Sequence, residues 1–357
     1  MDTIIKKLEE ANLTAEDFTE AGKILRNGGL VAFPTETVYG LGADALNSQA
    51  AAKIYAAKGR PSDNPLIIHI AEKNDLNRLV KEIPPEADLL IDAFWPGPLT
   101  MIFEKREEVP DSTTGGLNTV AVRMPRHKIA LELIRRSGVL IAAPSANISG
   151  RPSPTTAQHV QQDMCGRIDM VIDGGKVGIG IESTIIDMTV NPPMILRPGY
   201  ITREMLEEKI GPVSMDKAVE AKNISEVMRK DYIPKAPGMK YRHYAPKADF
   251  IMFEGSISNV AEEINKRQKK EETKGKKVGI ICTDESRSYY SGGYVVSIGS
   301  RTKPETIAAN LYKVLRDFDE ADTDIIFGEA FYGDGLGQAI MNRLIKAAGY
   351  KLINADG

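Results

Sequence analysis

The residues best suited to chemistry in this chain are small groups of cations, hydroxyls and amides placed directly behind apolar runs. Lys58-Gly59-Arg60 is one such group, with Ser62 and Asn64 just after it. Glycine lets a backbone approach a phosphate closely, lysine supplies a point charge and arginine a planar fork. The same tripeptide equally fits a plain helix end, where basic residues complement the helix dipole. Ser145-Ala146-Asn147, behind the apolar run Val139 to Ala143, is a sharper signal. It offers a hydroxyl, an amide and backbone N–H donors at a strand end, against the alternative of ordinary turn chemistry.

Arg123 lies inside the apolar stretch Ala121-Val122-Arg123-Met124. A buried cation is costly without an anion, so it calls for a carboxylate: Glu36, Asp187 or that of an amino-acid substrate. His69 sits in the apolar run Leu66 to Ile70, as a hydrogen-bonded core histidine would. Thr35 and Glu36 follow another apolar run, and Ser183 and Arg197 come from later segments. Ligands of α/β sheets bind in the crevice beyond strand ends, so these segments are expected to converge there.

Several known arrangements are missing. There is no G-x-x-x-x-G-K-[ST] loop, no G-x-G-x-x-G after an early strand and no G-x-S-x-G elbow. Four histidines and two cysteines, Cys165 and Cys282, give no metal-ligand spacing. Any metal is therefore expected to be Mg²⁺ arriving with a nucleotide, with no protein-held metal. Gly335-x-Gly337 before the last helix could receive an anion, but reads more simply as a tight loop and cap.

The elements that must position these groups alternate along the chain. Phe18, Ala21, Ile24 and Leu25 share a helical face that stops at Gly28-Gly29, and Leu30 to Phe33 reads as a strand. Asn47 or Ser48 can cap an alanine-rich helix, and Asp75 a later one. Pro65 to Ile70, Leu99 to Phe103 and Val120 to Met124 read as strands, as do Met170 to Asp173, Thr184 to Met188 and Met194 to Arg197. Past Gly211 the chain turns polar and weakly periodic, ending in Pro237-Gly238-Met239-Lys240-Tyr241-Arg242-His243-Tyr244-Ala245-Pro246. From Lys247 strands and helices alternate again, the pattern of a small parallel α/β sandwich.

A length of 357 residues favours two domains, and a net charge of -3 rules out a globally basic nucleic-acid coat. The longest apolar runs are too short to span a bilayer and no signal-peptide core is present, so a cytoplasmic location is expected.

Four segments together resemble the YrdC-like threonylcarbamoyl-adenylate synthases. They are Ala32-Phe33-Pro34-Thr35-Glu36-Thr37-Val38-Tyr39-Gly40-Leu41-Gly42, Lys58-Gly59-Arg60-Pro61-Ser62-Asp63-Asn64-Pro65-Leu66, Phe94-Trp95-Pro96-Gly97-Pro98-Leu99-Thr100 and Ala143-Pro144-Ser145-Ala146-Asn147-Ile148-Ser149-Gly150. Glu182-Ser183-Thr184, Leu196-Arg197-Pro198-Gly199 and the Pro237 to Pro246 stretch are similar to the family's long, two-domain form. The resemblance implies a twisted mixed-sheet catalytic domain over 1–211, a linker and lid over 212–246, and a small Rossmann-like parallel α/β domain over 247–357.

The activity it implies joins L-threonine, bicarbonate and ATP into L-threonylcarbamoyl-AMP and pyrophosphate. That product feeds the threonylcarbamoyl modification of adenosine 37 in ANN-decoding tRNAs, through a tRNA-modifying complex. Lys58, Arg60, Ser62, Thr119, Ser145, Asn147, Ser153 and Arg197 would surround ATP, with Tyr241 as the lid. Lys58, Arg60, Ser145 and Asn147 would carry catalysis. Thr35, His69, Arg123, Ala143 and Ser183 would surround threonine, Arg123 facing its carboxylate. No tightly bound organic cofactor and no membrane are expected. A basic concave surface also suits RNA backbone, which leaves weak RNA binding, or a pure RNA-binding module, as rivals. A carbamoyl transferase using carbamoyl phosphate is a further rival, but it would need zinc-finger and acylphosphatase motifs that this sequence lacks.

Overall fold

The structure is a computed structural model, which describes residues 2–220, 236–237 and 243–356. The described residues fall into two compact units, 2–149 with 153–220 and 236–237 in the first, 150–152 and 243–356 in the second. Tyr241 and most of the expected linker lie outside the described residues.

The first unit is built on one mixed sheet. Its strands are β1 (Ile4–Lys7), β2 (Val31–Phe33), β3 (Gly40–Asp44), β4 (Ile67–His69), β5 (Leu99–Glu104) and β6 (Thr119–Arg123). They are followed by β7 (Ile141–Ala142), β8 (Met170–Asp173), β9 (Thr184–Asp187), β10 (Met194–Arg197) and β11 (Ser214–Met215). Their order across the sheet is β1-β8-β2-β3-β7-β4-β6-β5-β9-β10-β11. Three successive antiparallel pairings, β2 with β3, β3 with β7 and β7 with β4, reverse the strand direction midway. β4 and β6 are parallel to each other, so both run opposite to β2 and β7.

Local sequence explains the helices that flank this sheet. Asn47 accepts hydrogen bonds from the Gln49 and Ala50 N–H groups and opens the helix Ser48–Lys58. Gly59 closes that helix at φ 61°, a left-handed cap that glycine takes without strain. Thr202 caps Arg203–Ile210 in the same manner as Asn47. Asp75 instead completes a capping box with Glu72 over a short 3₁₀ turn, Lys73–Arg78, because Pro84 and Pro85 delay the next helix to Pro85–Phe94.

Strand alternation divides the side chains between two faces. Leu66, Ile68, Val120, Val122, Leu99 and Met101 enter the main core. Their neighbours Ile67, Ala121, Ile102 and Ile185 form a much smaller cluster on the opposite face. Farther along that opposite face, Val31, Phe33, Ile141 and Ala143 pack with Leu25, Ala130 and Leu133. Between those two clusters the face carries polar side chains.

The second unit holds five strands, β12 (Asp249–Glu254), β13 (Val278–Cys282), β14 (Tyr294–Ser297), β15 (Ile325–Glu329) and β16 (Leu352–Asn354). Every pairing is parallel and the order is β14-β13-β15-β12-β16. The parallel α/β layering matches the sequence reading, with β15 inserted between the first two strands of the unit.

Candidate active site

Period-two alternation sets out the site. Along β6, Val120 and Val122 point into the core, so Thr119, Ala121 and Arg123 share the other face. His69 is the register partner of Arg123 and joins it there. Thr100, two residues before Ile102 on β5, also stands on this face, and its hydroxyl lies 2.7 Å from the Ser183 hydroxyl. The expected crevice beyond one set of strand ends therefore gives way to a face. β4 and β6 run opposite to β2 and β7, so the segments leaving these strands depart from both edges of the sheet.

Arg123, 4% exposed, is held from three sides. Its Nη2 lies 2.7 Å from Glu36 Oε1, its Nη1 donates to Thr37 Oγ1 at 2.9 Å and its Nε to the Gly97 carbonyl at 3.3 Å. Of the two protein carboxylates open on sequence grounds, Glu36 is the one that meets it. Asp187 accepts from the Thr189 N–H and hydroxyl instead. Thr35 stands behind Thr37, its hydroxyl 2.8 Å from that of Thr37 and donating to the Val38 carbonyl at 2.7 Å. Thr37 was not singled out from the sequence, although it belongs to the same Pro34-Thr35-Glu36-Thr37 turn.

His69 is buried beside this cation. Burial, and then the Arg123 charge, push its pKa down to about 3, so the ring is neutral at physiological pH. Phe33 meets it edge-on, ring centroids 6.2 Å apart. The Phe33 ring reaches His69 by lying across β3, where the Cβ of any residue at 42 would stand 2.9 Å from its Cε1. Gly40 keeps similar room against Ala143, whose Cβ would be 3.3 Å from a Cβ at 40.

The Ser145 loop is fixed by Lys58. This lysine, 2% exposed, donates from Nζ to the Ser145 and Asn147 carbonyls, each at 2.5 Å. The Lys58 carbonyl in turn accepts the Ser149 N–H at 2.9 Å. Leu41 N–H donates to the Pro144 carbonyl and Ala146 N–H to that of Tyr39, which ties the same loop to β3. Lys58 thus ends its helix and braces the Ser145 loop against that end.

The other expected residues are placed less uniformly. Arg60 curls back on the Asn64 and Pro65 carbonyls at 3.3 and 3.1 Å, and Ser62 is exposed. Thr119 lies four residues before Arg123 on one face, about 13 Å away at strand spacing. Ser153 donates to buried Glu182 at 2.6 Å. Arg197 donates to both the carbonyl and hydroxyl of Ser183, at 3.1 and 3.2 Å. Through Thr100, Ser183 and Arg197 are joined to the face that holds Arg123. Tyr241 is outside the described residues.

A buried arginine, a neutral histidine and hydroxyl groups stand on one sheet face of this α/β protein, beside a lysine-braced turn, a set of groups that can hold a small charged molecule. A family described as "Telomere recombination" matches residues 23–199, and the "Threonylcarbamoyl-AMP synthase, C-terminal domain" family matches 201–349. The threonylcarbamoyl-AMP synthase of Pyrococcus abyssi is 51% identical over 93% of this chain and 94% of its own. That of Bacillus subtilis is 48% identical over 97% and 96%. A crystal structure of P. abyssi Sua5 complexed with L-threonine superposes with a TM-score of 0.91, at 49% identity and 99% coverage of both chains. The chain belongs to the threonylcarbamoyl-AMP synthase family, whose members form an adenylate. No helix among its described residues is long and apolar enough to cross a membrane.

Proposed function

We propose that this enzyme converts L-threonine, bicarbonate and ATP into L-threonylcarbamoyl-AMP and pyrophosphate. The carrying observation is the face that gathers Arg123, neutral His69, the Thr35–Thr37 pair and Ser183 beside the Lys58-braced loop. The threonine complex of the 49% identical P. abyssi protein supports it.

In this reading Arg123 receives the threonine carboxylate, with Thr35, His69, Ala143 and Ser183 around the amino acid. The carboxylate must share or displace the Glu36 contact. The threonine nitrogen attacks bicarbonate carbon, water leaves, and the resulting carbamate oxygen attacks the α-phosphate of ATP as pyrophosphate departs. Neither step needs a covalent protein nucleophile. The protein's contribution is positioning and charge neutralisation, which dominate such transfers. Lys58, Arg60, Ser145 and Asn147 serve the phosphates, with Ser62, Thr119, Ser153 and Arg197 along the nucleotide. A neutral His69 fits this work because it adds no second cation beside Arg123.

Among the described residues no three His, Cys, Asp or Glu side chains cluster as a metal site. In this reading Mg²⁺ enters with the triphosphate, where it would neutralise phosphate charge. The domain limits of 1–211, 212–246 and 247–357, the lid role of Tyr241, cytoplasmic placement and delivery of the product for adenosine 37 of ANN-decoding tRNAs belong to the same proposal.

Pyrophosphate release from ATP, with and without threonine and bicarbonate, tests it. Release that depends on both cosubstrates is expected. Release indifferent to either would overturn the reading.

A further inference from the structure

The second unit carries its own cavity, lined by none of the residues placed in the site of the first unit. It measures about 320 Å³ and lies where the carboxyl ends of β12 and β15 adjoin, with Gly255 after one and Ala330 after the other. The chain leaves β12 for β13, beyond β15, and leaves β15 for β16, beyond β12. Crossovers departing in opposite directions from adjacent parallel strands open the crevice in which α/β sheets bind ligands.

Three features of the lining are built and held. Arg301 is anchored by its Nη2 on Glu329 Oε2 at 2.7 Å and its Nε on Thr283 Oγ1 at 2.9 Å. Glu329 is 2% exposed and also accepts from Ser286 and Tyr290, each at 2.7 Å, so a fully satisfied buried network fixes the guanidinium. Arg301 Nη1 makes no hydrogen bond among the described residues, and the guanidinium lies over the Phe331 ring at 5.7 Å. Tyr332 is 61% exposed, yet its hydroxyl donates to Glu254 at 2.6 Å, which holds the ring as an open aromatic plate.

The third feature is the turn Gly333-Asp334-Gly335-Leu336-Gly337, which opens the twelve-residue helix Leu336–Ala347. Gly335, at φ 57°, needs its glycine. Gly337 does not: its backbone is ordinary, and a Cβ there would meet nothing within 4 Å, only the cavity. Neither conformation nor packing accounts for a glycine inside this helix, whereas close approach of a ligand does. The Gly337 N–H goes to the Asp334 carbonyl at 3.1 Å, while those of Gly335 and Leu336 have no partner among the described residues.

We propose that this cavity is a second ligand site, separate from the adenylate-forming face, and that it takes a nucleoside monophosphate. The base stacks on Tyr332, the ribose hydroxyls donate to the Asp334 carboxylate, and the phosphate meets Arg301 where the backbone of Gly333 and Gly337 lets it approach closely. A volume of about 320 Å³ lies at the low end of small-molecule cavities, which suits one nucleotide and not a dinucleotide. The sequence reading of Gly335-x-Gly337 as a simple cap lacked the arginine and the tyrosine, which come from other positions.

The test is equilibrium dialysis of AMP against the full chain carrying Lys58→Ala, which weakens the first site. Saturable binding is expected, with one equivalent per chain lost or weakened at least tenfold by Tyr332→Ala and by Arg301→Gln. Tyr332 is exposed, so its variant folds even where Arg301→Gln, leaving buried Glu329 without its cation, does not. Inorganic phosphate alone should compete weakly and adenosine alone weakly. No AMP binding, or binding indifferent to both substitutions, overturns the proposal. Threonine-dependent pyrophosphate release by Tyr332→Ala should stay at the unsubstituted level, which separates this outcome from failure of the catalytic reading.

Discussion

Arg123 and Glu36 form an ion pair at 2.7 Å in which both side chains are less than a tenth exposed. Breaking such a pair from one side strands the other charge, at about 3–5 kcal/mol. Arg123→Ala should therefore lose stability of that order as well as threonine-dependent pyrophosphate release. The double variant Arg123→Met with Glu36→Gln should recover much of the stability and none of the release. Urea unfolding of the three proteins checks this, and an Arg123→Ala chain as stable as the parent would contradict it.

Lys58 binds two carbonyls of the loop that presents Ser145 and Asn147. Lys58→Met keeps the volume and removes the ammonium. Loss of one preorganised electrostatic donor typically costs about 10²–10³ in rate, and that range is expected for pyrophosphate release. Near-normal turnover in Lys58→Met would remove the loop brace from the catalytic account.

His69 gives a pH signature. Its pKa falls from 6.5 in the unfolded chain to about 3 in the fold, so the unfolded state binds more protons between those values. This contribution to stability is complete above pH 6.5 and is lost progressively as pH falls toward 3, with a slope of at most about 1.4 kcal/mol per pH unit. Unfolding free energies across that window should fall more steeply for the parent than for His69→Gln. Parallel curves would show the histidine to be titrating freely.

Gly42 holds open the path by which Phe33 reaches His69. A Cβ at 42 would lie 2.7 Å from Ile141 Cγ2 and 2.9 Å from Phe33 Cε1, too close on both sides. Gly42→Ala should cost about 1–3 kcal/mol through overpacking. At position 40 the corresponding contacts are 3.3 and 3.4 Å, so Gly40→Ala should cost less. Thermal melts that reverse this order would refute the packing argument.

Much of this protein could be read from its residues in order. The caps at Asn47 and Thr202, the stop at Gly59 and the alternating elements after Lys247 are local, set by hydrogen bonds and φ preferences within a few residues. The face of β6 was also legible in principle. Thr119, Ala121 and Arg123 alternate with Val120, Val122 and Met124, and only the latter three are uniformly bulky and apolar.

Other features had no local signal. Glu36 and Asp187 were equal candidates for Arg123, and their choice rests on antiparallel pairings that bring the β2–β3 turn over β6. The same reversal moved the site from a strand-end crevice onto a sheet face. Lys58 fitted a phosphate-binding cation and a helix-end charge equally, and its hold on the distant Ser145 and Asn147 carbonyls had no signal in the sequence. Residue types alone determined which groups could carry charge, donate or cap. Which of them met was decided by strand order and direction, because pairing across a sheet joins positions that are distant in sequence.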